Sequence, residues 1–400
     1  MKNSSIFKVI FWLFCFYVIL CPFYVFPSGT PQPADFILAL NGLLMLFVLK
    51  KRILKHPPIK SLISLVILIA IVNGMNQLDM ALSNIDGDTS MSTLFYIFNC
   101  MAFIMSFYII KHGGEKAVNF ISLAILISIS IQCLCSILGL GSTGGRGTIF
   151  FNNPNQLGYY ALCSFTLFAI IPSKFRRNKI SLFFMIGMCC YLMLVSESRA
   201  ALIGVALLTI VTIVKENFKI ELTSIFTLLL SGLIIFFFIK DSKFIKNQID
   251  KIETRNENKS TSFNEEIKVR GYDRIILYSD YIWYGAGEGG NLRFKKAFHQ
   301  GEIHSGLGTI LFSYGILGLI LFFIFLFRVL KYNFFNGLVI FLPILLYNLT
   351  HQGLRDSFFW VILSFIYYFS IRKNNDANSL IKISSNPRHN IATAKRYDIA

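Results

Sequence analysis

Long apolar runs separated by short polar segments dominate the chain. A helix that crosses a hydrocarbon core of about 30 Å needs about 20 mostly apolar residues, so each run is interpreted as one membrane span. The pattern predicts twelve spans, at residues 6–26, 33–49, 59–76, 92–110, 117–140, 157–172, 180–196, 200–214, 220–239, 305–327, 335–350 and 357–371. The predicted fold class is therefore an all-α polytopic membrane protein with about 12 transmembrane helices. No small-residue cleavage site follows the first run, which favours a retained span over a removed signal peptide.

Composition supports this class and changes how the charge is interpreted. Hydrophobic residues make up 54% of the chain and charged residues 15%, far from the balance of a soluble globular domain. All eight cysteines fall inside apolar runs, so no disulfide framework is expected. In a soluble protein, a net charge of +17 would suggest nucleic-acid binding. In a membrane protein, the distribution of this charge first has to be compared with the positive-inside rule.

The distribution of lysine and arginine predicts the orientation. If both termini are cytoplasmic, the inside segments carry 23 of the 38 basic residues, and 12 of the other 15 lie in one long outside loop, residues 240–303. Long loops translocate largely regardless of their charge. Three basic residues remain on the short outside loops, namely Arg146, Arg199 and Arg355. Because selection on topology removes cations there, we expect these three to serve chemistry; the alternative is that they reach lipid headgroups.

The domain organisation follows from the same pattern. Residues 1–371 are predicted to form one transmembrane domain, with the long outside loop 240–303 inserted between spans nine and ten. The second half of this loop is rich in tyrosine and tryptophan, which is typical of an interfacial helix at the outer face of the membrane. Residues 372–400 are polar and are predicted to be a disordered cytoplasmic tail.

Polar residues that suit phosphate chemistry collect on the predicted outer side. Arginine forks bind phosphate oxygens with two hydrogen bonds, and histidine accepts a proton from a hydroxyl near neutral pH. Arg270 and Arg274 are four residues apart and share a helix face, and His304 precedes an apolar run. The combination predicts a diphosphate-bearing lipid-linked sugar as substrate and a base beside it. Ser305 as a helix cap and His304 as an interfacial residue is the alternative.

Other chemistries are less well supported. Asp86 and Asp88 form an acid-x-acid pair that suits a solvated turn, and neither a metal nor a cofactor is expected. No ionisable residue occupies the centre of a predicted span, which disfavours a flippase or other transporter of lipid-linked sugars. A non-catalytic membrane scaffold leaves the one-sided arginines and histidines unexplained.

Four motifs in order resemble the O-antigen ligase and O-antigen polymerase superfamily. They are R-G-T-I-F-F-N-N-P-N-Q-L-G after span five, S-R-A-A-L-I-G opening span eight, an outer loop with an arginine followed by G-A-G, and H-S followed nine residues later by G-I-L-G. The resemblance covers roughly residues 140–360. Within the superfamily, the spacing from His304 to Gly315 is most similar to that of the O-antigen ligases.

The resemblance implies specific roles for residues that match its motifs. Arg199, Arg270 and His304 match the family's catalytic positions: the two arginines would bind the pyrophosphate, and His304 would orient or deprotonate the acceptor hydroxyl. Gly306 and Gly308 are expected to leave room for substrate beside it. The further residues expected to bind substrate are Arg146, Asn153, Asn155, Arg274, His351 and Arg355.

The activity implied is a metal-independent glycosyltransferase of lipopolysaccharide biosynthesis in the bacterial inner membrane. Such ligases transfer O-antigen polysaccharide from undecaprenyl pyrophosphate to lipid A-core at the periplasmic face. An O-antigen polymerase, which joins lipid-linked repeat units, is the alternative, because the donors are alike. The expected partners are therefore the lipid-linked donor, the lipid A-core acceptor and membrane lipids, with no nucleic acid.

Overall fold

The computed structural model describes residues 5–141, 146–172, 179–215 and 263–384. These residues form helices joined by turns, with no β-strand among them. In chain order the α-helices are α1 (Ser5–Leu20), α2 (Pro33–Leu46), α3 (Lys51–Leu54), α4 (Pro57–Leu82), α5 (Ser90–Ile137), α6 (Pro154–Ile170), α7 (Lys179–Ser196), α8 (Arg199–Lys215), α9 (Phe263–Val269), α10 (Asp273–Leu277), α11 (Tyr281–Tyr284), α12 (Gly306–Leu330), α13 (Phe334–Thr350) and α14 (Ser357–Ser384). Short 3₁₀ turns occupy Asn291–Arg293 and Lys331–Asn333.

Three helical segments of the described chain are long and apolar enough to cross a membrane. They are Pro57–Leu82, Ser90–Ile137 and Gly306–Thr350, with 26, 48 and 45 residues. Shorter apolar helices occupy Ser5–Leu20, Pro33–Leu46 and Ile180–Ser196. The all-helical architecture and its membrane-crossing segments agree with the sequence analysis, whereas the number of twelve spans stays a prediction.

The predicted apolar runs coincide with helices wherever the structure describes them. The predicted ninth span, residues 220–239, and the first part of the long loop lie outside the described residues. At the other end, α14 continues to Ser384 instead of ending near residue 371, so the first part of the predicted tail is helical. In the second half of the loop, three short helices, α9, α10 and α11, replace the single interfacial helix that was expected.

Proline and short polar side chains set where the helices begin. Pro33, Pro57 and Pro154 each occupy the first helical position, where a missing N–H costs no hydrogen bond. Asn153 precedes α6 and its side chain accepts the Asn155 N–H at 2.8 Å. Ser305 precedes α12 and accepts the Gly308 N–H at 3.0 Å. The two caps fix the helix starts beside which most of the candidate site residues lie.

Helix α5 is a hairpin whose turn is a single glycine. Gly114 has φ 59° and ψ −146°, a conformation that glycine adopts without steric cost. Before it, Asn99 donates to the carbonyls of Leu354 and Arg355 at 3.3 and 3.2 Å. After it, Ser128 donates to the Ile19 carbonyl at 3.0 Å. The chain thus returns along the bundle without the loop that was predicted between spans four and five.

Helix α12 is broken at Gly315, where φ is 67° and ψ is −174°. Such a break interrupts the helical hydrogen-bond ladder, so nearby carbonyls need other donors. The N–H groups of Ala286 and Gly287 donate to the carbonyls of Phe312 and Ser313, at 2.9 and 2.8 Å. The glycine-rich turn therefore docks into the break in α12, at the end of the bundle that carries His304, here called the His304 end.

Candidate functional site

The glycine-rich turn Gly285–Gly290 is a structural element. A Cβ atom built on Gly285 would lie 2.6 Å from the Ser313 carbonyl oxygen, and one on Gly289 would lie 2.1 Å from the Asp88 carbonyl oxygen. Both glycines also have positive φ, at 86° and 118°. Only residues without a side chain fit here, because the backbone of the turn lies directly against α12 and the α4–α5 connection.

Glu288, inside this turn, forms the buried half of an ion-pair network. Its Oε1 lies 2.6 Å from Arg355 Nη2 and 2.8 Å from Arg355 Nε, and its other oxygen accepts the Tyr314 hydroxyl at 2.7 Å. Glu302 accepts Arg355 Nη1 at 2.6 Å. We call Glu288, Glu302 and Arg355 the glutamate clamp. The side chains of Glu288, Arg355 and Glu302 are 4%, 21% and 48% exposed, so the clamp runs from the interior to the surface.

The clamp changes the interpretation of Arg355. Because both carboxylates favour the charged form, the pKa of Arg355 is raised despite the opposing effect of burial. A guanidinium already neutralised by two glutamates is poorly placed to neutralise a substrate diphosphate. The cavity that Glu288, Glu302 and Arg355 help to line has a volume of about 10 Å³, which is room for roughly one water and not for a sugar.

Arg274 was also expected to bind substrate, and the structure gives it a different role. Its side chain is 1% exposed. Its guanidinium donates to Asn291 Oδ1 at 2.9 Å and to the carbonyls of His299 and Gly301. It also lies 5.0 Å from the centre of the Phe294 ring. Arg274 therefore holds the second half of the long loop together, and its expected contact with substrate stays a prediction.

His304 lies at the rim of this loop, immediately before α12. Its N–H donates to the Arg270 carbonyl at 2.9 Å, which places these two predicted catalytic residues side by side. His304 is an exposed residue, but its ring is partly covered, and the centre of the ring lies 5.0 Å from that of the His299 ring. Ser305 is a helix cap, as the alternative interpretation held, and this cap orients the backbone that carries His304.

The space expected beside His304 is filled by protein atoms. A Cβ on Gly306 would lie 2.8 Å from Leu354 Cγ and 3.0 Å from Asn348 Oδ1. A Cβ on Gly308 would lie 3.2 Å from both Ile303 and Ser305. Gly306 allows close packing of α12 against α13 and the segment after it, and Gly308 packs against the residues just before α12, so in this structure neither glycine opens the space that was expected for substrate.

His351, which ends α13, is held on three sides. Its ring stacks on Tyr347 with centres 4.5 Å apart, and its Nδ1 lies 2.9 Å from the Thr350 hydroxyl. Its carbonyl accepts the Gly306 N–H at 3.1 Å. Burial, followed by the positive charges of Arg270, His304 and Arg146, lowers the pKa of His351 to about 4. The residue is therefore neutral at pH 7 and fixed in orientation.

Arg146 joins this group from the segment before α6. Its Nη2 donates to Asn155 Oδ1 at 2.9 Å, and its Nε donates to the Ser196 carbonyl at 3.3 Å. Ser196 precedes by three residues Arg199, the first residue of α8. The Tyr347 hydroxyl also donates to the Asn155 carbonyl, at 2.9 Å. The structure thus brings the N-P-N segment, the turn before α8 and the end of α13 together.

Asn153 takes a smaller part than expected. Its side-chain oxygen is engaged by the Asn155 N–H in the cap of α6. An Asn at this position satisfies one of the free N–H groups at a helix start, which is a structural role. Asn155 is the asparagine of this motif that contacts Arg146, so the two residues differ in function despite being two positions apart.

We call Arg146, Arg270, His304 and His351 the histidine mouth. Burial and the neighbouring charges of His299 and Arg270 lower the pKa of His304, whereas Glu302 acts in the opposite direction. Its imidazole is therefore neutral at pH 7 and able to accept a proton. The histidine mouth thus contains two neutral imidazoles and two guanidinium groups.

No protein-family model matches the chain, and no curated protein is significantly similar to it. A functional assignment consequently depends on the residues and geometry of the histidine mouth.

Sequence reasoning overlooked both carboxylates of the glutamate clamp. Glu302 stands two residues before His304, and Glu288 lies in the glycine-rich turn. The sequence did contain one sign of this network, a single glutamate among four glycines at 285–290. A turn so rich in glycine packs closely against its neighbours, and a glutamate buried in it needs a cation as partner. Among the described residues, no group of three or more histidines, cysteines or acids is arranged to hold a metal ion.

Proposed function

We propose that the protein is a membrane glycosyltransferase of the O-antigen ligase type. In this proposal it transfers a polysaccharide from undecaprenyl pyrophosphate to a hydroxyl of lipid A-core, in the inner membrane and on the periplasmic side that the lysine distribution predicts. The observation that supports it most directly is the hydrogen bond of 2.9 Å between the His304 N–H and the Arg270 carbonyl. This backbone hydrogen bond joins the two chain segments that carry the His304 imidazole and the Arg270 guanidinium, although the two residues are 34 positions apart.

The proposed chemistry divides the work between these two groups. Arg270 and Arg199 bind the pyrophosphate and neutralise the charge that develops as the bond from the sugar C1 to the pyrophosphate oxygen breaks. The acceptor hydroxyl attacks C1 from the opposite face, and its proton passes to the neutral imidazole of His304. Undecaprenyl pyrophosphate leaves, and the configuration at C1 is inverted. No metal takes part in this proposal.

The remaining mouth residues support binding. Arg146, oriented by Asn155 and the Ser196 carbonyl, supplies a further positive charge near the end of α13. With a pKa of about 4, His351 is a poor general base at neutral pH, because a general base works best with a pKa near the operating pH. The proposal therefore assigns proton transfer to His304 alone, and it gives Arg274, Arg355 and Asn153 structural roles.

The decisive experiment gives purified protein an undecaprenyl-pyrophosphate-linked oligosaccharide together with lipid A-core. We expect glycosylated lipid A-core from the wild-type protein. His304→Ala should reduce the rate about 10²- to 10⁴-fold, since this is the typical contribution of a general base. Arg270→Lys should also reduce it, because an ammonium cannot offer two parallel N–H donors to a phosphate.

Two matched controls separate this role from damage to the fold. His112→Ala removes a histidine that lies outside the mouth, near the turn of α5, and Arg328→Lys changes an arginine at the end of α12. Both should keep wild-type rates. Full activity of His304→Ala would overturn the proposed base. A product in which a second lipid-linked unit is extended, with lipid A-core left unmodified, would identify a polymerase instead.

A further inference from the structure

A second histidine lies among cations at the opposite end of the bundle from His304. His56 directly precedes α4, and its Nε2 lies 2.7 Å from Lys111 Nζ of α5. Its Nδ1 lies 3.1 Å from the Tyr367 hydroxyl of α14. We call His56, Lys111, Arg52 and Tyr367 the His56 cluster. From His56 to Asn73, which contacts the glycine-rich turn at Glu288, α4 rises about 25 Å, so this cluster is separate from the proposed active site.

The protonation states of the cluster follow from its hydrogen bonds. A lysine ammonium has donors and no acceptor, so His56 Nε2 accepts and Nδ1 carries the ring proton. That proton points to the Tyr367 oxygen, which leaves the Tyr367 O–H free to donate elsewhere. Burial, then the charges of Lys111 and Arg52, lower the pKa of His56 to about 4. The cluster thus holds a neutral imidazole and two cations.

Where the structure describes the chain, no acid is paired with the cations of this cluster. Residues 50–60 contain five lysines and arginines and no acid. Among the described residues, neither Arg52 nor Lys111 forms an ion pair with an acid. Glu115, the nearest acid along α5, is bound to Arg372 at 2.7 Å. The Lys111 ammonium is also held 5.4 Å from the centre of the Phe107 ring.

Exposed apolar side chains adjoin the cluster. The end of α2 presents Leu46 and Phe47, which are 69% and 80% exposed. The next residue, Val48, accepts a hydrogen bond from the Tyr108 hydroxyl, and Tyr108 lies one turn before Lys111 on α5. Cations at the end of apolar helices, beside exposed apolar side chains, match the two parts of a phospholipid.

We propose that the His56 cluster binds the phosphate of an anionic phospholipid. Lys111 and Arg52 provide the charge, and the Tyr367 hydroxyl provides a neutral donor, while Leu46 and Phe47 contact the acyl chains. Basic pockets between membrane helices are known to hold lipid headgroups in this way. The binding is independent of the proposed glycosyl transfer.

Native mass spectrometry of the full-length protein in detergent tests the proposal, with phosphatidylglycerol as ligand and phosphatidylcholine as the zwitterionic comparison. We expect the wild-type protein to retain one molecule of phosphatidylglycerol in preference to phosphatidylcholine. Lys111→Gln should weaken its binding about fivefold, and the Arg52→Gln/Lys111→Gln double variant about 25-fold, at roughly one fivefold step per cation.

Lys116→Gln is the matched control, because it removes the same charge from an exposed position five residues along α5. It should bind lipid as the wild-type protein does. If Lys116→Gln weakened phosphatidylglycerol binding as much as Lys111→Gln does, the binding would depend on general surface charge, and the proposal would be overturned. Displacement of the lipid by millimolar inorganic phosphate would likewise overturn it, since the cluster would then be a site for free phosphate.

Discussion

Two arginine-bearing regions at the His304 end look alike in sequence and differ in structure. In the glutamate clamp, Arg355 is neutralised by one buried and one exposed carboxylate. In the histidine mouth, Arg146 and Arg270 donate to neutral oxygens of Asn155, Ser196 and Thr350. A carboxylate at hydrogen-bond distance balances the charge of an arginine, whereas a hydrogen bond to an amide or carbonyl oxygen does not by itself do so. The comparison teaches that arginines near the same loops differ in their electrostatic surroundings, according to whether a glutamate or a backbone carbonyl accepts their hydrogen bonds.

The largest effect on stability is expected in the clamp. Glu288→Gln removes the buried carboxylate that pairs with Arg355. Removing one partner of a buried ion pair lowers the free energy of unfolding by about 3–5 kcal/mol. Thermal unfolding of the purified protein in detergent measures the loss. Glu302→Gln is the matched control, because its pair is solvent-exposed and should contribute about 0–1 kcal/mol. Equal effects of the two variants would contradict the distinction between the buried and exposed halves.

A smaller loss is expected where the glycine-rich turn docks. Gly315→Ala would place a Cβ 2.7 Å from the Trp283 carbonyl oxygen, at a φ of 67° that glycine alone tolerates well. Such strain costs about 1–3 kcal/mol. Gly74→Ala on α4 is the control, because no atom lies within 4 Å of its added Cβ. If both variants unfold at the wild-type temperature, the break in α12 is not set by Gly315.

The smallest expected effect concerns pH and tests the mouth. Because burial, His299 and Arg270 lower the pKa of His304, its basic form persists below pH 6.5. We expect kcat/KM to fall on the acidic side only below this value. His299→Asn removes the neighbour that, after burial, lowers the pKa of His304 most. The pKa of His304 should therefore rise, and the acidic fall in kcat/KM should move toward higher pH. A profile of the wild-type protein that already falls above pH 6.5 would exclude His304, as described here, as the base.

Much of the fold was accessible from the sequence because apolar length alone marks membrane helices. The pattern located both ends of α6 and α12 to within three residues, and it located the start of α4 to within two residues. It placed a polar loop between two spans within α5, because Lys111 and Lys116 interrupt the apolar run. A hydropathy pattern cannot show that a single glycine, Gly114, is enough to reverse the chain there. It also ended α14 too early, because polar residues after a span are equally compatible with a continued helix.

The site was accessible in part for a different reason. Motif order led to His304 and Arg270, which the structure joins by a backbone hydrogen bond. Nothing in residue type separates Arg270 from Arg274, four positions away, although Arg274 is buried against carbonyl groups. Pairing across the bundle, such as that of Glu288 with Arg355, depends on three-dimensional contacts that local spacing does not encode.

The single-glycine turn of α5 has a consequence for how the sequence can vary. A loop absorbs an added or deleted residue, whereas Gly114 is followed at once by the second half of the helix. One residue inserted after Gly114 would rotate that half by about 100°. Phe120 and Ser128, which contact α1, would then face other directions. This turn should tolerate some substitutions but hardly any insertion. Its length is therefore more strictly constrained than that of a loop exposed to solvent.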